Sequence, residues 1–436
     1  LFRDPVECLL RSLYSVALYL LLPLTVLYLV WRGLKAPAYR QHGAQRLALY
    51  YGSAPKKPFR LWLHVASVGE VNAAAPLVNT LRKQRPDVQW LITTLTPTGA
   101  QQIQTLWGNA VEQVYLPYDS PDSSARFLNH FRPDLGLILE TELWPNLLLG
   151  CRKRAIPTYL LNARLSERSL RGYRFLRPLL KRVLQTLRGI AAQSDTDAQR
   201  FISLGAEARQ IQVLGNMKFD MDLPDTSAMY ATFHAHCSAG RPIWIAASTH
   251  EGEEQAVLDM HARICAAYPD ALLLWAPRHP ERFAAVTALS QQRGWNVSTR
   301  RSAQWPQTDT QVFVIDTLGE LMAFYACAPV GFIGGSLQPI GGHNFLEPAA
   351  MGMAMVTGPY LHNFADISRR LQEAGALRIL KNGEELAETL IELLSNNAAR
   401  AQMVTAGKTL LAQGRGSIQR MLTFISAHLP PVPTKD

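Results

Sequence analysis

Cysteine is scarce and badly spaced for metal or disulfide chemistry. The 436 residues hold five, Cys8, Cys151, Cys237, Cys265 and Cys327, with no CxxC pair. Neither a zinc ribbon nor a disulfide framework follows from that spacing, and a reducing compartment fits it. The chain also lacks the G-x-G-x-x-G fingerprint and the G-x-x-x-x-G-K-[ST] P-loop, so hydride transfer and ATP hydrolysis lose their usual phosphate cradles. No His/Asp/Glu cluster has metal-ligand spacing, so no metal is expected, and His64, His250, His279 and His343 read as singletons for hydrogen bonding or packing. No short-period repeat or low-complexity segment occurs. Acidic residues are outnumbered, 34 against 44 basic, for a net charge of +10. That balance favours anionic partners: nucleic acid, a phospholipid surface or a phosphorylated substrate.

Near the N-terminus, "SLYSVALYLLLPLTVLYLVW" runs from Ser12 to Trp31 without a charge, about the length that crosses a bilayer core. Arg32, Lys35, Arg40 and Arg46 outnumber Arg3 and Arg11 on the other flank, which leaves the globular part in the cytoplasm. A cleaved signal peptide is the competing reading. It would have a shorter apolar core, and its only small-residue candidate, Ala36-Pro37-Ala38, carries an awkward proline. The expectation is a single-pass anchor over residues 1–35.

From Arg60 onward, short apolar runs alternate with amphipathic segments. "RLWLHVAS", "VQWLITTLT", "LGLILET", "TYLLNA" and "GIAAQS" are strand-like, and this is the sequence form of a parallel sheet wrapped by helices. The helix after Glu70 repeats apolar residues at Val71, Ala74, Ala75, Val78 and Leu81, with Pro76 expected to kink or delay it. Around "NMKFDMDLPDTSA" the alternation stops and a linker is expected. It resumes with "RPIWIAAST", "ALLLWAPRHP", "QVFVID", "VGFIGGS" and "MAMVTGP". The expected organisation is therefore an acceptor-binding Rossmann-like domain over 36–220, a linker over 221–240, and a donor-binding Rossmann-like domain with C-terminal helices over 241–436. A ligand would lie in the cleft between their strand C-termini.

Several loops at strand ends carry polar residues suited to chemistry. In "HVASVGEVNAAAPLV" a Ser-Val-Gly turn leads into a helix with Glu70 in its first turn. A phosphate would be repelled there, so Glu70 is either an acid favoured by the helix dipole or a base aimed at a neutral hydroxyl. "LILETELWPN" ends a strand in Glu140 and Glu142, and paired acids there commonly face a site. "LNARLSERS" and "LGNMKFD" add Asn162, Arg164, Ser166 and Lys218. In the second half, "WAPRHPERF" puts Arg278 and His279 after a buried strand, suited to an anion. "FIGGSLQPIGGHNFLEPAAMG" has two Gly-Gly pairs and a helix entered through Asn344. Its glycines let backbone N–H groups approach a phosphate, and Glu347 can accept from ribose hydroxyls. Between Arg164 and Arg188, arginines interleave with Tyr173, Phe175, Leu176 and Leu180, a pattern suited to an anionic membrane interface.

The ordered set "SVGEVNAAAPL", "TTLTPTG", "PYDSP", "ETELWPN", "NARLSERS", "GNMKFD", "STHEGEE", "APRHPERF" and "IGGHNFLEPAA" closely resembles the Kdo transferases of lipopolysaccharide assembly, over nearly the whole chain. The resemblance implies a GT-B glycosyltransferase, an α/β protein with two Rossmann-like domains facing a cleft and an N-terminal transmembrane helix. Its implied activity moves 3-deoxy-D-manno-octulosonic acid (Kdo) from CMP-Kdo to a lipid A precursor at the anionic cytoplasmic face of the bacterial inner membrane, with no nucleic-acid partner and no cofactor. It also implies roles for particular residues. Glu70 would be the general base, Glu140 and Lys218 the transition-state supports, and Pro277, Arg278, Leu318, Gly319, Glu320, Asn344, Phe345, Leu346 and Glu347 the CMP contacts. Single displacement would invert the anomeric centre. A double displacement needs a second carboxylate, for which Glu140 is the candidate. A soluble sugar-nucleotide epimerase and a non-catalytic lipid-binding module are the competing classes.

Overall fold

A computed structural model describes residues 5–35, 42–50, 59–237, 240–303 and 305–431. Arg3, Arg40 and Ala36-Pro37-Ala38 lie outside the described residues. Two seven-stranded sheets organise the chain. The first contains β1 (Arg60–His64), β2 (Gln89–Thr94), β3 (Glu112–Tyr115), β4 (Leu135–Leu139), β5 (Thr158–Ala163), β6 (Gly189–Ala192) and β7 (Ile211–Val213), in the order β3-β2-β1-β4-β5-β6-β7. The second contains β8 (Ile243–Thr249), β9 (Leu272–Pro277), β10 (Val297–Thr299), β11 (Val312–Val314), β12 (Val330–Ile333), β13 (Ala354–Thr357) and β14 (Leu377–Ile379), in the order β10-β11-β9-β8-β12-β13-β14. Every pairing is parallel. Central strands are buried along their whole length, as in β1, β4, β5, β8 and β9, because helices cover both faces of a parallel sheet. Along β1 the side chains alternate: Leu61 and Leu63 enter one core layer and Trp62 the other.

The chain divides into two compact units, Leu1–Met221 with Gly414–Asp436, and Asp222–Gln413. This differs from the expected grouping of 241–436. Ile418, Met421, Leu422 and Ile425 join the core layer of Leu61, Leu63 and Val71. The Asp220 carboxylate accepts from the backbone N–H groups of Gly416 (2.5 Å) and Ile418 (2.7 Å), fixing the start of the Ser417–Ile425 helix. The expected linker 221–240 likewise contains a helix, Ser227–His236, which packs in the second unit through buried Phe233. Pro76 does not delay its helix, which runs through it without a break from Val68 to Gln84. The carbonyl that Pro76 leaves unpaired belongs to exposed Asn72, where water can satisfy it.

The Pro5–Lys35 helix is long and apolar enough to cross a membrane by length and composition. Its first half is tied to the first unit. Arg11 donates to Asn146 (3.0 Å), Tyr14 to Asp119 (3.1 Å) and Tyr19 to Asp122 (2.6 Å), while Glu7 pairs with Arg182. Val6, Leu9, Leu13, Val16, Leu20, Leu24, Leu27, Trp31 and Leu34 are exposed and recur every three or four residues, and from Leu20 on Leu21, Val26, Tyr28 and Val30 are exposed as well, so that half is apolar round most of its surface.

Candidate active site

In the first unit, the ends of β1 and β4 and the turn after β7 bring carboxylates together. Ser67 leads the chain from β1 into the Val68–Gln84 helix, and Glu70 folds back over that turn. Its Oε2 accepts from the Ala66 N–H (2.8 Å) and its Oε1 from the Ser67 hydroxyl (3.2 Å). With only 9% of the residue exposed, burial, reinforced by the nearby Glu140 and Glu142 charges, pushes its pKa up to about 7. A carboxyl group balanced near neutrality takes up and releases protons where the chemistry must run.

Glu140 follows β4 with φ of 57°, as Asn162 in β5 has φ of 52°. A non-glycine residue seldom adopts this left-handed backbone, and where one does, the strain tends to mark a functional site. Lys218 Nζ stands 3.4 Å from Glu140 Oε1. The Lys218 turn is held by the Asn216 side chain, which accepts from the Lys218 N–H, and by Asn162 Oδ1, which accepts from the Met217 N–H. Glu142 accepts from Trp144 Nε1 (3.0 Å) and lies 3.8 Å from Nε2 of fully buried His64. Of the expected residues, Glu70, Glu140 and Lys218 thus share one cluster, which Glu142 and His64 extend. Ser166 instead caps the Glu167–Tyr173 helix, and at Arg164 it is the backbone carbonyl that accepts, from Thr141.

In the second unit, adjacent strands β8, β9 and β12 end together. Pro277 closes β9, and Arg278 stands exposed beyond it with its N–H on the Thr249 carbonyl (3.0 Å). Glu347 accepts from Asn344 Nδ2 (2.9 Å), and burial raises its pKa despite that bond and the Arg278 charge. Phe345 and Leu346 are wholly buried, so their side chains belong to the core and their backbone is what a ligand could meet. Leu318 is 72% exposed and Gly319 has φ of 88°. Glu320 is engaged by Arg300 (2.7 Å) and Thr317, and the Arg300 bond holds its carboxyl below the usual range.

The glycine-rich loop departs from expectation. Glu253, with no exposed surface, accepts from the N–H groups of His250 (2.9 Å), Gly335 (2.7 Å), Ser336 (2.8 Å) and Leu337 (2.9 Å). Gly341 and Gly342 both donate to the Gly335 carbonyl. With the Gly334 amide on the Ala247 carbonyl of β8, the amides of both Gly-Gly pairs are taken within the protein, and an internal carboxylate stands where a substrate phosphate was expected. Gly334 is required here because a Cβ would come within 2.9 Å of Glu253 and 2.8 Å of the Thr249 backbone. The histidines also depart from expectation, since three of the supposed singletons meet. His250 and His343 lie end to end in nearly one plane, 5° apart, with Nε2 atoms 2.8 Å apart, and His279 stands edge-on to His250 with centroids 5.0 Å apart. Burial pushes His343 down to about 3, with His250, Arg278 and His279 adding to the effect, and burial lowers His250 too. A signal existed in the sequence: each of these histidines follows a strand or a glycine pair, and those strands turn out to be neighbours.

Paired parallel α/β sheets with polar clusters at their strand C-termini define a GT-B type glycosyltransferase fold. The solved S. aureus MnaA–UDP co-structure shares that fold, with a TM-score of 0.56 at 15% identity, covering 87% of this chain and 100% of that one. Residues 41–221 match the family model described as 3-deoxy-D-manno-octulosonic-acid transferase (kdotransferase). The 3-deoxy-D-manno-octulosonic acid transferase of Haemophilus influenzae is 37% identical over 96% of this chain and 99% of its own length; that of Bordetella pertussis is 35% identical with the same coverage. The chain belongs to the Kdo transferase family of glycosyltransferases.

Proposed function

We propose that the chain transfers Kdo from CMP-Kdo to a lipid A precursor by an inverting single displacement in which Glu70 is the general base. The observation that carries this reading is a buried carboxylate with two donors and two acidic neighbours, raised to about 7. The acceptor hydroxyl oxygen bonds to the anomeric carbon of Kdo as its proton passes to Glu70 and the bond to the CMP phosphate oxygen breaks. Base assistance of this kind is worth about 10²–10⁴ in rate. Lys218 and Glu140 sit beside the base as a paired charge that supports the developing transition state. Arg278, Asn344 and Glu347 hold the cytidylyl group, and Arg278 meets its negative charge, so no divalent cation is needed. Incubation with CMP-Kdo and a lipid A precursor tests the reading. The lipid should gain the mass of Kdo, in the presence of chelator as well, whereas CMP release without lipid mass gain would contradict it.

We further propose that the Pro5–Lys35 helix and the arginine segment hold the enzyme on the cytoplasmic face of the inner membrane. Phe175 is 89% exposed between exposed Arg171, Arg174 and Arg177, an apolar anchor ringed by cations. While Arg11, Tyr14 and Tyr19 keep their contacts, the stretch Leu20–Leu34 rises about 22 Å, short of the roughly 30 Å bilayer core. Apolar round most of its surface, that stretch suits burial in part of the bilayer core, and a full crossing over Ser12–Trp31 requires those contacts to open.

A further inference from the structure

We infer that His250, His279 and His343, together with Arg278, form the subsite for the donor's phosphate, and that occupying it draws a proton into the hydrogen-bonded His250–His343 pair. The inference rests on the proposal that this unit binds CMP. It begins from the loop. The backbone amides of Gly335, Ser336 and Leu337 are consumed by Glu253, and those of Gly341 and Gly342 by the Gly335 carbonyl. A phosphate arriving at these strand ends finds those five amides taken, which leaves the nearby side chains to supply its countercharge. The cationic or cation-forming groups gathered there are Arg278, His279, His250 and His343.

The Nε2–Nε2 approach of 2.8 Å sets the proton count. Two neutral imidazoles in that contact share one proton between their Nε2 atoms, so the accepting ring carries its own proton on Nδ1 while the donating ring has a bare Nδ1. One added proton makes both Nδ1 atoms donors and gives the pair a positive charge. In the unliganded protein Arg278 and His279 oppose that charge, and the carboxylate facing the pair, Glu253, is saturated by four N–H groups. Glu281, 4.0 Å from His279, is 74% exposed and weakly placed to help. A phosphate supplies the missing negative charge. It raises the pair's affinity for a proton, and by linkage a proton strengthens phosphate binding.

The test is calorimetric titration of the full chain with CMP and with cytidine at pH 7.5, in two buffers of different ionisation enthalpy. CMP should bind with net proton uptake and cytidine with none. In His343→Gln the uptake should vanish and CMP should weaken by about ten- to a hundredfold, the range for a charge-assisted hydrogen bond, with cytidine affinity kept. His250→Gln provides the same readout should the first variant fold poorly. Equal weakening of cytidine and CMP in the variants would mean a structural role and overturn the subsite. Uptake unchanged by either substitution, or absent with wild type, would overturn it too. Failure of wild type to bind CMP at all would instead sink the donor-binding proposal.

Discussion

Each sheet begins with a central strand that feeds a turn and a helix, and a glutamate stands at each helix start, Glu70 in the first turn of the helix after β1 and Glu253 capping the helix after β8. Their places in the fold correspond, yet their surroundings oppose each other. Glu253 has no exposed surface and four backbone N–H donors. Glu70 has one backbone donor, one hydroxyl and two acidic neighbours. A carboxylate met by four amides is fixed in place and organises a loop, whereas a buried one with a single amide, a hydroxyl and two acidic neighbours holds its proton more tightly and suits the proposed base. Position in the fold therefore does not assign the role; the supply of donors does.

Four perturbations bear on this contrast. Glu70→Gln keeps the shape of the side chain and removes the proton acceptor, so turnover should fall by about two to four powers of ten while CMP binding measured by calorimetry persists. Near-normal turnover by the folded variant would direct attention to Glu140. Glu253→Gln sets an amide NH₂ against backbone donors. It should cost about 1–3 kcal/mol of stability and raise the KM for CMP-Kdo more than it lowers kcat. Loss of kcat alone would place Glu253 in the chemistry and erase the contrast.

Stability supplies the third. The folded protein keeps a proton on Glu70 between about 4.5 and about 7 that the unfolded chain releases. That contribution is complete below about 4.5 and is lost as pH rises through about 7. Glu70→Gln should therefore gain on wild type in thermal denaturation as pH rises across this window, by on the order of 3 kcal/mol; a pH-independent difference would mean that Glu70 is not desolvated. The smallest effect is expected from Lys218→Met, because the pair at 3.4 Å is partly open to solvent, with side chains 28% and 22% exposed. It should lower kcat about tenfold or less and cost no more than about 1 kcal/mol of stability. A fall as large as that of Glu70→Gln would make Lys218 the dominant group.

Much of the fold is written in apolar runs. The ten strands visible that way are the interior of both sheets, where burial on two faces demands uninterrupted Val, Ile and Leu. The four that carry no such run, β3, β7, β10 and β14, are the four sheet edges. With one side open they mix polar residues into segments of three or four. The return of Met421 and Ile425 to the first unit was equally hidden, since an amphipathic helix shows that it packs but not against what. In the candidate clusters of the two units, Glu70, Glu140 and Lys218, and Arg278 and Glu347, were legible because turns and strand ends flag them. The meeting of His250, His279 and His343 depends on strand order, and the capture of the loop amides by Glu253 depends on a contact between residues more than eighty positions apart.

The most direct test is the titration of Glu70 itself, read as the carboxylate infrared difference between wild type and Glu70→Gln across pH 4 to 9. The account places the midpoint at about 7, with turnover rising through the same pH. A midpoint in the ordinary carboxylate range, near 4–5, would leave Glu70 a helix-start acid and contradict the assignment of the base.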